Sequence, residues 1–199
     1  ILSLIAALLM AVVSAAGLIF RARFYPTETL LTTYLTNDLI NLFIGLPILL
    51  GSIWLTRGDK LIGLLFWPGA LLYTFYNYIA YLVGVPYGIV SLAYLALVLL
   101  SVLAIFDILK KMDKTAIQEQ LADTVPVKFA GWVLVGFGVL FFVRAIGVFF
   151  EASANQNMLP LSEIGVLIAD MLISTAWMAG GAMLLRRQPW GFVSALGLL

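Results

Sequence analysis

The sequence predicts an all-α, polytopic membrane helix bundle with six full transmembrane helices and the start of a seventh. Three observations lead to this fold class: 63% of the 199 residues are hydrophobic, only 11% are charged, and the mean hydropathy is +1.10. A water-soluble domain usually has about 25% charged residues. The chain lacks the polar side chains that cover a surface in water, so we expect its main partner to be the lipid bilayer.

The predicted transmembrane helices are apolar runs close to the length that crosses a bilayer. A helix needs about 20 residues to cross about 30 Å of hydrocarbon, and it satisfies its backbone hydrogen bonds internally. The runs do not show the alternating polarity of barrel strands. They cover residues 1–20, 37–56, 61–83, 87–109, 129–150 and 163–185, and a seventh, incomplete run starts near residue 190.

The first run, ILSLIAALLMAVVSAAGLIF, has two interpretations. Its apolar character and the SAA near its end are typical of a secretory signal peptide. Its length of about 20 residues, however, is that of a transmembrane span and exceeds the apolar core of a signal peptide. We therefore predict that this run spans the membrane.

The basic residues predict which loops face the cytoplasm, because cytoplasmic loops carry an excess of Lys and Arg. The first loop contains Arg21 and Arg23, and the third and fifth loops contain no basic residue. We therefore expect a prokaryotic inner or plasma membrane location with the N-terminus in the cytoplasm. The second, fourth and sixth loops contain eight basic residues: Arg57, Lys60, Lys110, Lys111, Lys114, Lys128, Arg186 and Arg187.

Two connections have the pattern of helices that lie along the membrane surface. Residues 27–35 (TETLLTTYL) and 115–123 (TAIQEQLAD) each place apolar side chains on one face. We interpret both as interfacial helices. We also expect Tyr25, Tyr34 and Tyr87 to belong to an interfacial tyrosine belt.

A short pattern occurs twice in the chain and indicates an internal duplication. Arg21 and Arg144 are each followed by alanine, and each has a glutamate seven positions later, Glu28 and Glu151 respectively. The next apolar run in each half then carries an aspartate. Parallel three-helix repeats of this kind recur among membrane transporters.

The duplication predicts a 3+1+3 organisation of parallel units. The first three-helix unit covers residues 1–83, and the second covers 129–199 with an incomplete final helix. Residues 84–128 form the link between them, which comprises the fourth helix and the cytoplasmic surface loop.

Arg144 lies inside the unbroken apolar run LFFVRAIGVFFE. Arg144 and Asp170 each lie about six or seven residues from the outer ends of consecutive antiparallel helices, so they share a depth of roughly 9 Å. A lone charge at that depth costs a few kcal/mol, and pairing with an opposite charge removes much of this cost. We therefore predict a contact between Arg144 and Asp170.

Three interpretations of Arg144 stay open on the sequence alone. Its long side chain can bring the guanidinium to the lipid headgroups. The pair with Asp170 can serve only to hold two helices in register. The pair can also belong to a binding site, which is the default hypothesis for an ionisable residue within a membrane.

Other polar side chains concentrate in the predicted outer half and indicate a water-accessible cavity. On the third helix, tyrosine and asparagine recur every four residues and therefore share one face. The candidate cavity residues are Arg144, Asp170, Asp38, Asn41, Tyr73, Asn77 and Tyr81. Secondary candidates are Arg21, Glu28, Glu151, Ser174 and Trp177.

The composition disfavours several classes of function. The chain has no cysteine and no histidine, which removes thiolate metal sites, the usual haem ligand and the commonest general base, so we expect no cofactor. A net charge of +1 gives no indication of a nucleic-acid partner. An intramembrane aspartyl enzyme using Asp38 and Asp170 is disfavoured, because neither aspartate lies in a GxGD sequence.

Two hypotheses about function follow from these patterns. The first is a small-solute transporter or channel-like carrier with an outward-facing polar cavity around Arg144 and Asp170. The alternative is a non-catalytic accessory or scaffold subunit of a larger membrane complex. The corresponding partners are other membrane subunits or further copies of the same chain.

Overall fold

The computed structural model describes residues 1–58, 60–123 and 125–198, with the side chains of 195–198 left undescribed. Within these ranges the chain forms helices and no strand, so the predicted all-α class is confirmed. Leu199, the last residue of the predicted second unit, lies outside the described residues. The predicted duplication stays a prediction.

The helices follow the chain in an almost continuous series. The helix α1 (Leu2–Ile19) is followed by the single turn α2 (Arg21–Phe24). Next, α3 (Glu28–Ile40), a π-helical turn (Asn41–Gly45) and α4 (Leu46–Arg57) run together as one segment. The remaining helices are α5 (Leu61–Gly84), α6 (Ile89–Lys111), α7 (Lys114–Leu121), α8 (Val127–Ala154), α9 (Leu161–Leu185) and α10 (Pro189–Leu198).

Five helical segments of the described chain are long and apolar enough to cross a membrane: α1, the combined α3–α4 segment, α6, α8 and α9. The helix α5, which corresponds to the predicted span 61–83, has 24 residues but is not among these five. Four tyrosines, Asn77 and Pro68 lower its apolar content. The sixth full span therefore stays a prediction, and α10 begins where the seventh run was expected.

The position of α5 accounts for the polar side chains that it carries. It lies at the centre of the bundle, where α4, α6, α9 and α10 all pack against it. Its polar side chains Thr74, Asn77, Tyr78 and Tyr81 are consequently buried against other helices. Through α5 the predicted first unit contacts α9 and α10 of the predicted second unit, and the division into two three-helix units stays a prediction.

The first connection differs from its prediction. Residues 27–35 are not a separate surface helix, because α3 begins at Glu28 and continues into α4. The Thr27 hydroxyl caps α3 by accepting a hydrogen bond from the Leu30 N–H at 3.3 Å. Tyr25 and Tyr34 are buried, so they do not form an interfacial belt, whereas Tyr87 is 79% exposed.

The π-helical turn Asn41–Gly45 ends two residues before Pro47. Proline has no N–H to donate to the carbonyl one helical turn earlier, so a regular α-helical ladder cannot continue through it. A π turn accommodates such an interruption within a helix. Here it buries Asn41 and Gly45 against the rest of the bundle.

The second predicted surface helix is present as α7. Its N-terminus is capped by Asp113, whose carboxylate accepts hydrogen bonds from the N–H groups of Thr115 and Ala116. The Gln118 amide donates to the Arg187 carbonyl at 2.9 Å. This contact ties α7 to the C-terminal end of α9.

Candidate functional site

Arg144 on α8 and Asp170 on α9 form an ion pair, with 2.8 Å between Nη1 and Oδ2. The contact predicted from the shared depth of these residues is therefore confirmed. The Asp170 side chain is 2% exposed, whereas that of Arg144 is 53% exposed. The pair thus has its carboxylate inside the bundle and a half-exposed arginine at the edge, whose guanidinium carries further N–H donors.

Tyr76 on α5 supplies the second partner of the Asp170 carboxylate. Its hydroxyl donates to Oδ1 at 2.9 Å, so each carboxylate oxygen accepts one hydrogen bond. A buried carboxylate needs such partners, because desolvation of an isolated charge costs several kcal/mol. Tyr76 is not among the predicted cavity residues; its place three residues after Tyr73, on a neighbouring part of one helix face, was the available signal.

A cavity of about 500 Å³ adjoins Asp170. It lies over α5, between the α3–α4 segment on one side and α8 and α9 on the other; we call it the Asp170 cleft. Its polar lining consists of Tyr73, Tyr76 and Asp170, whereas most of the remaining wall is aliphatic or aromatic. The cleft is therefore less polar than the cavity predicted from the sequence.

The polar and apolar parts of the cleft are separated along α5. Tyr73 and Tyr76 lie toward the Gly84 end of this helix, while Phe66 lies toward its other end. Trp177 lines the cleft two turns beyond Asp170 on α9 and packs edge-on against Phe141. The cleft thus has one charged, hydrogen-bonding end and one apolar end.

Asp38 lies in a second, fully buried cluster. Its two oxygens accept hydrogen bonds from the hydroxyls of Tyr25 at 2.6 Å and Tyr81 at 3.0 Å, and its exposed fraction is 0%. Within the described ranges it makes no ion pair. Gly17 of α1 provides the space, because a Cβ there would collide with the Asp38 carboxylate and approach the Tyr25 hydroxyl.

Tyr25 contributes to this cluster from the connection between α2 and α3. Burial raises the pKa of its hydroxyl, and the nearby Asp38 carboxylate raises that pKa further. The phenol therefore keeps its proton at physiological pH and serves as a hydrogen-bond donor. Sequence reasoning placed this tyrosine at the membrane surface.

Asn41 belongs to a buried hydrogen-bond network that adjoins the cleft. The Tyr73 hydroxyl donates to Asn41 Oδ1 at 2.8 Å, and Asn41 Nδ2 donates to Ser14 Oγ at 3.4 Å. The Ser14 and Tyr78 hydroxyls lie 3.1 Å apart. Tyr73 therefore lines the cleft with its ring and joins the buried network with its hydroxyl.

The structure divides the predicted cavity residues into two groups. Asp170, Tyr73 and the secondary candidate Trp177 line the cleft, and Arg144 reaches it through Asp170. The buried residues Asp38, Asn41, Asn77 and Tyr81 are not part of the cleft wall. Their hydrogen-bonding groups are directed to one another and to the backbone, as the Asn77 amide shows by donating to the Tyr73 carbonyl.

The secondary candidates also occupy different surroundings. The Ser174 hydroxyl is buried and donates to the Asp170 carbonyl at 2.5 Å. Arg21, Glu28 and Glu151 are exposed and lie outside the cleft wall. Within the described residues, no group of acidic side chains is arranged to hold a metal ion.

Comparisons of the chain with protein-family models, with curated proteins and with solved structures find no match. The geometry of the cleft is therefore the basis on which a function can be assigned to the chain.

Proposed function

We propose that the chain is an integral membrane protein that binds a small amphipathic solute in the Asp170 cleft and carries it across the membrane. The observation that carries this proposal is a cavity of about 500 Å³ lined at one end by Tyr76 and by Asp170, the carboxylate that pairs with Arg144. Five segments of sufficient length and apolarity support the membrane location.

The size and lining of the cleft favour a small organic solute. Ligand sites commonly have volumes of about 300–1,000 Å³, with a mainly apolar wall and a few polar groups that fix orientation. Ile44, Ile48 and Ile173 offer contacts to a hydrocarbon or aromatic body. We propose that the charged end binds the polar group of the solute.

Arg144 is the residue we propose to recognise that polar group. Asp170 engages Nη1, and the guanidinium has five N–H donors in all. The remaining donors suit an acceptor such as a carboxylate or a carbonyl group. Asp170 then has a positioning role, since it fixes the direction in which the guanidinium points.

Solute binding tests this assignment. The purified protein in detergent is screened by thermal unfolding against a panel of small amphipathic carboxylates, amines and neutral amides. An active compound is then tested for uptake into proteoliposomes. Arg144→Gln should abolish both stabilisation and uptake, while Arg21→Gln, an exposed arginine outside the cleft, should retain both. Uptake that survives Arg144→Gln contradicts the assignment.

We further propose that the N-terminus and the basic loops face the cytoplasm. The chain has no cysteine, so single cysteines introduced in opposite loops report sidedness without background. In intact cells, a membrane-impermeant maleimide should label Tyr87→Cys and not Glu119→Cys. The reverse labelling pattern excludes the proposed orientation.

A role as an accessory subunit is the second candidate, and the outer surface of α8 favours it. This helix exposes a large apolar area that includes Phe129, Trp132, Leu140, Val143 and Phe150. Either lipid or an apolar partner helix can cover such a surface in a membrane. Purification in mild detergent distinguishes the candidates, because a subunit should retain a partner in fixed stoichiometry.

A further inference from the structure

A second cavity, of about 550 Å³, lies away from the Asp170 cleft and shares no lining residue with it. It is bounded by α6, α9 and α10, with the start of α7 at one end. We call it the α6–α9 groove. This groove has no place in the proposed solute pathway.

The groove has a basic end. Lys110 and Lys114 line it, and no acidic residue is among the described residues of its wall. Lys110 is exposed, and Lys114 Nζ lies 4.0 Å from the centroid of the Trp190 ring. Lys111, in contrast, lies outside the groove and pairs with Asp107 at 2.8 Å. Two positive charges of the groove are therefore left without a carboxylate partner in the described chain.

Apart from Ser194, the rest of the wall is apolar. Phe106 and Met183 provide apolar sides, while Ala176 and Gly180, one helical turn apart on α9, contribute only small side chains to the wall and so form an open apolar channel in the groove. A hydrocarbon chain fits against such small residues because the helix backbone can be approached closely. Trp190 stands at the junction of the apolar wall and the basic end, as interfacial tryptophans do.

We propose that the α6–α9 groove is a binding site for an anionic phospholipid, with the lipid phosphate between Lys110 and Lys114 and one acyl chain along α9. The charge of the basic end selects the anionic headgroup, and basic pockets between membrane helices have this preference. The apolar channel distinguishes a lipid from a free anion. The proposal depends on the membrane location but not on the solute assignment of the Asp170 cleft.

Native mass spectrometry tests the proposal. The protein in neutral detergent is titrated with dioleoyl phosphatidylglycerol, which is anionic, or with dioleoyl phosphatidylcholine, which is zwitterionic. We expect phosphatidylglycerol to bind at least tenfold more tightly. The double variant K110Q/K114Q should lose about ten- to thirtyfold of that affinity, since each lysine near the headgroup contributes about fivefold. Phosphatidylcholine binding should change little.

Two matched controls separate the groove from general surface charge. Lys111→Gln removes the same charge from the same helix end outside the groove, and it should leave the lipid preference unchanged. Ala176→Phe fills the channel and should weaken the binding of both lipids, with folding checked by gel filtration. Equal affinity of the wild-type protein for both lipids overturns the proposal. So does a K111Q effect as large as that of the double variant, or displacement of the lipid by millimolar inorganic phosphate.

The outcome is distinguishable from failure of the proposed function. If the protein does not partition into vesicles, both the proposed solute transport and the proposed lipid site are wrong. If the protein partitions into vesicles and transports a solute but shows no preference for the anionic lipid, only the proposed lipid site is wrong.

Discussion

Tyr76 and Asp170 join the centre of the bundle to its C-terminal half through a hydrogen bond of 2.9 Å between the Tyr76 hydroxyl and Asp170 Oδ1. The two residues are 94 positions apart in the chain. With Arg144 on the other oxygen, three helices meet at one buried carboxylate. The stability of this junction and the shape of the cleft are therefore linked.

Tyr76→Phe should destabilise the protein by about 1–2 kcal/mol, because one oxygen of a buried carboxylate loses its donor. Tyr87→Phe is the matched control, since Tyr87 is 79% exposed and its loss should change stability by less than about 0.5 kcal/mol. Unfolding in mixed detergent micelles measures both. Equal stability of Y76F and the wild type contradicts the proposed junction.

Arg144→Gln should destabilise the protein by about 1–3 kcal/mol. Removing one partner of a buried pair costs about 3–5 kcal/mol, and the half-exposed Arg144 reduces that figure. Adding Asp170→Asn to this variant should restore part of the loss, because no uncompensated charge then remains. A double-mutant cycle that gives a coupling energy near zero refutes an energetically significant ion pair.

Gly17→Ala should destabilise the protein by about 1–3 kcal/mol through overpacking, because the new methyl group meets the Asp38 carboxylate. Gly51→Ala is the control, since its Cβ position is open and alanine favours the helix. G51A should therefore be as stable as the wild type or slightly more stable. Thermal unfolding of the pair in detergent distinguishes a specific clash from a general effect of glycine replacement.

The burial of the Tyr25 hydroxyl should make the folded protein less stable at alkaline pH. In the unfolded chain a tyrosine loses its proton near pH 10, whereas the raised pKa of buried Tyr25 keeps the folded state protonated. The unfolded state then binds fewer protons, so the free energy of unfolding decreases as pH rises above about 10. Below about pH 10, Tyr25 is protonated in both states and its contribution to the free energy of unfolding no longer changes with pH.

Tyr25→Phe should reduce this alkaline decrease by up to about 1.4 kcal/mol per pH unit. Tyr87→Phe, the replacement of an exposed tyrosine, is measured beside it. Denaturant unfolding at pH values from 8 to 11 gives the two slopes. Identical slopes for Y25F and the wild type would exclude the burial of Tyr25.

The sequence alone was sufficient for the Arg144–Asp170 contact, because both residues lie in consecutive antiparallel helices and depth can be counted along each. It was not sufficient for Tyr76, since the packing of α5 against α9 joins segments that are distant in the chain. The positions and approximate bounds of the membrane helices were also predictable, because an apolar run is a property of consecutive residues.

The cleft is less polar than the sequence indicated because polar side chains on neighbouring helices form hydrogen bonds with one another. Asp38 bonds to Tyr81 and Asn41 bonds to Tyr73, which removes these groups from the cleft wall or turns them away from it. Tyr25 was placed at the surface by a rule for lipid-facing tyrosines. No local signal showed that its hydroxyl would meet the Asp38 carboxylate.

The π-helical turn Asn41–Gly45 changes the direction in which each later side chain of the α3–α4 segment points around the helix axis. A π turn absorbs one additional residue, so a helical wheel drawn through it with a uniform step misplaces everything beyond by about 100°. Asp38 faces Tyr81, while Ile48 lines the cleft. A helical wheel reproduces the angle between these two side chains only when the additional residue of the π turn is counted. A chain shortened by the exposed Phe43 would bring the two faces into regular α-helical spacing, but it would also place Pro47 within an unbroken helix, where its ring meets the carbonyl four residues earlier. The turn therefore accommodates the extra residue and the proline together.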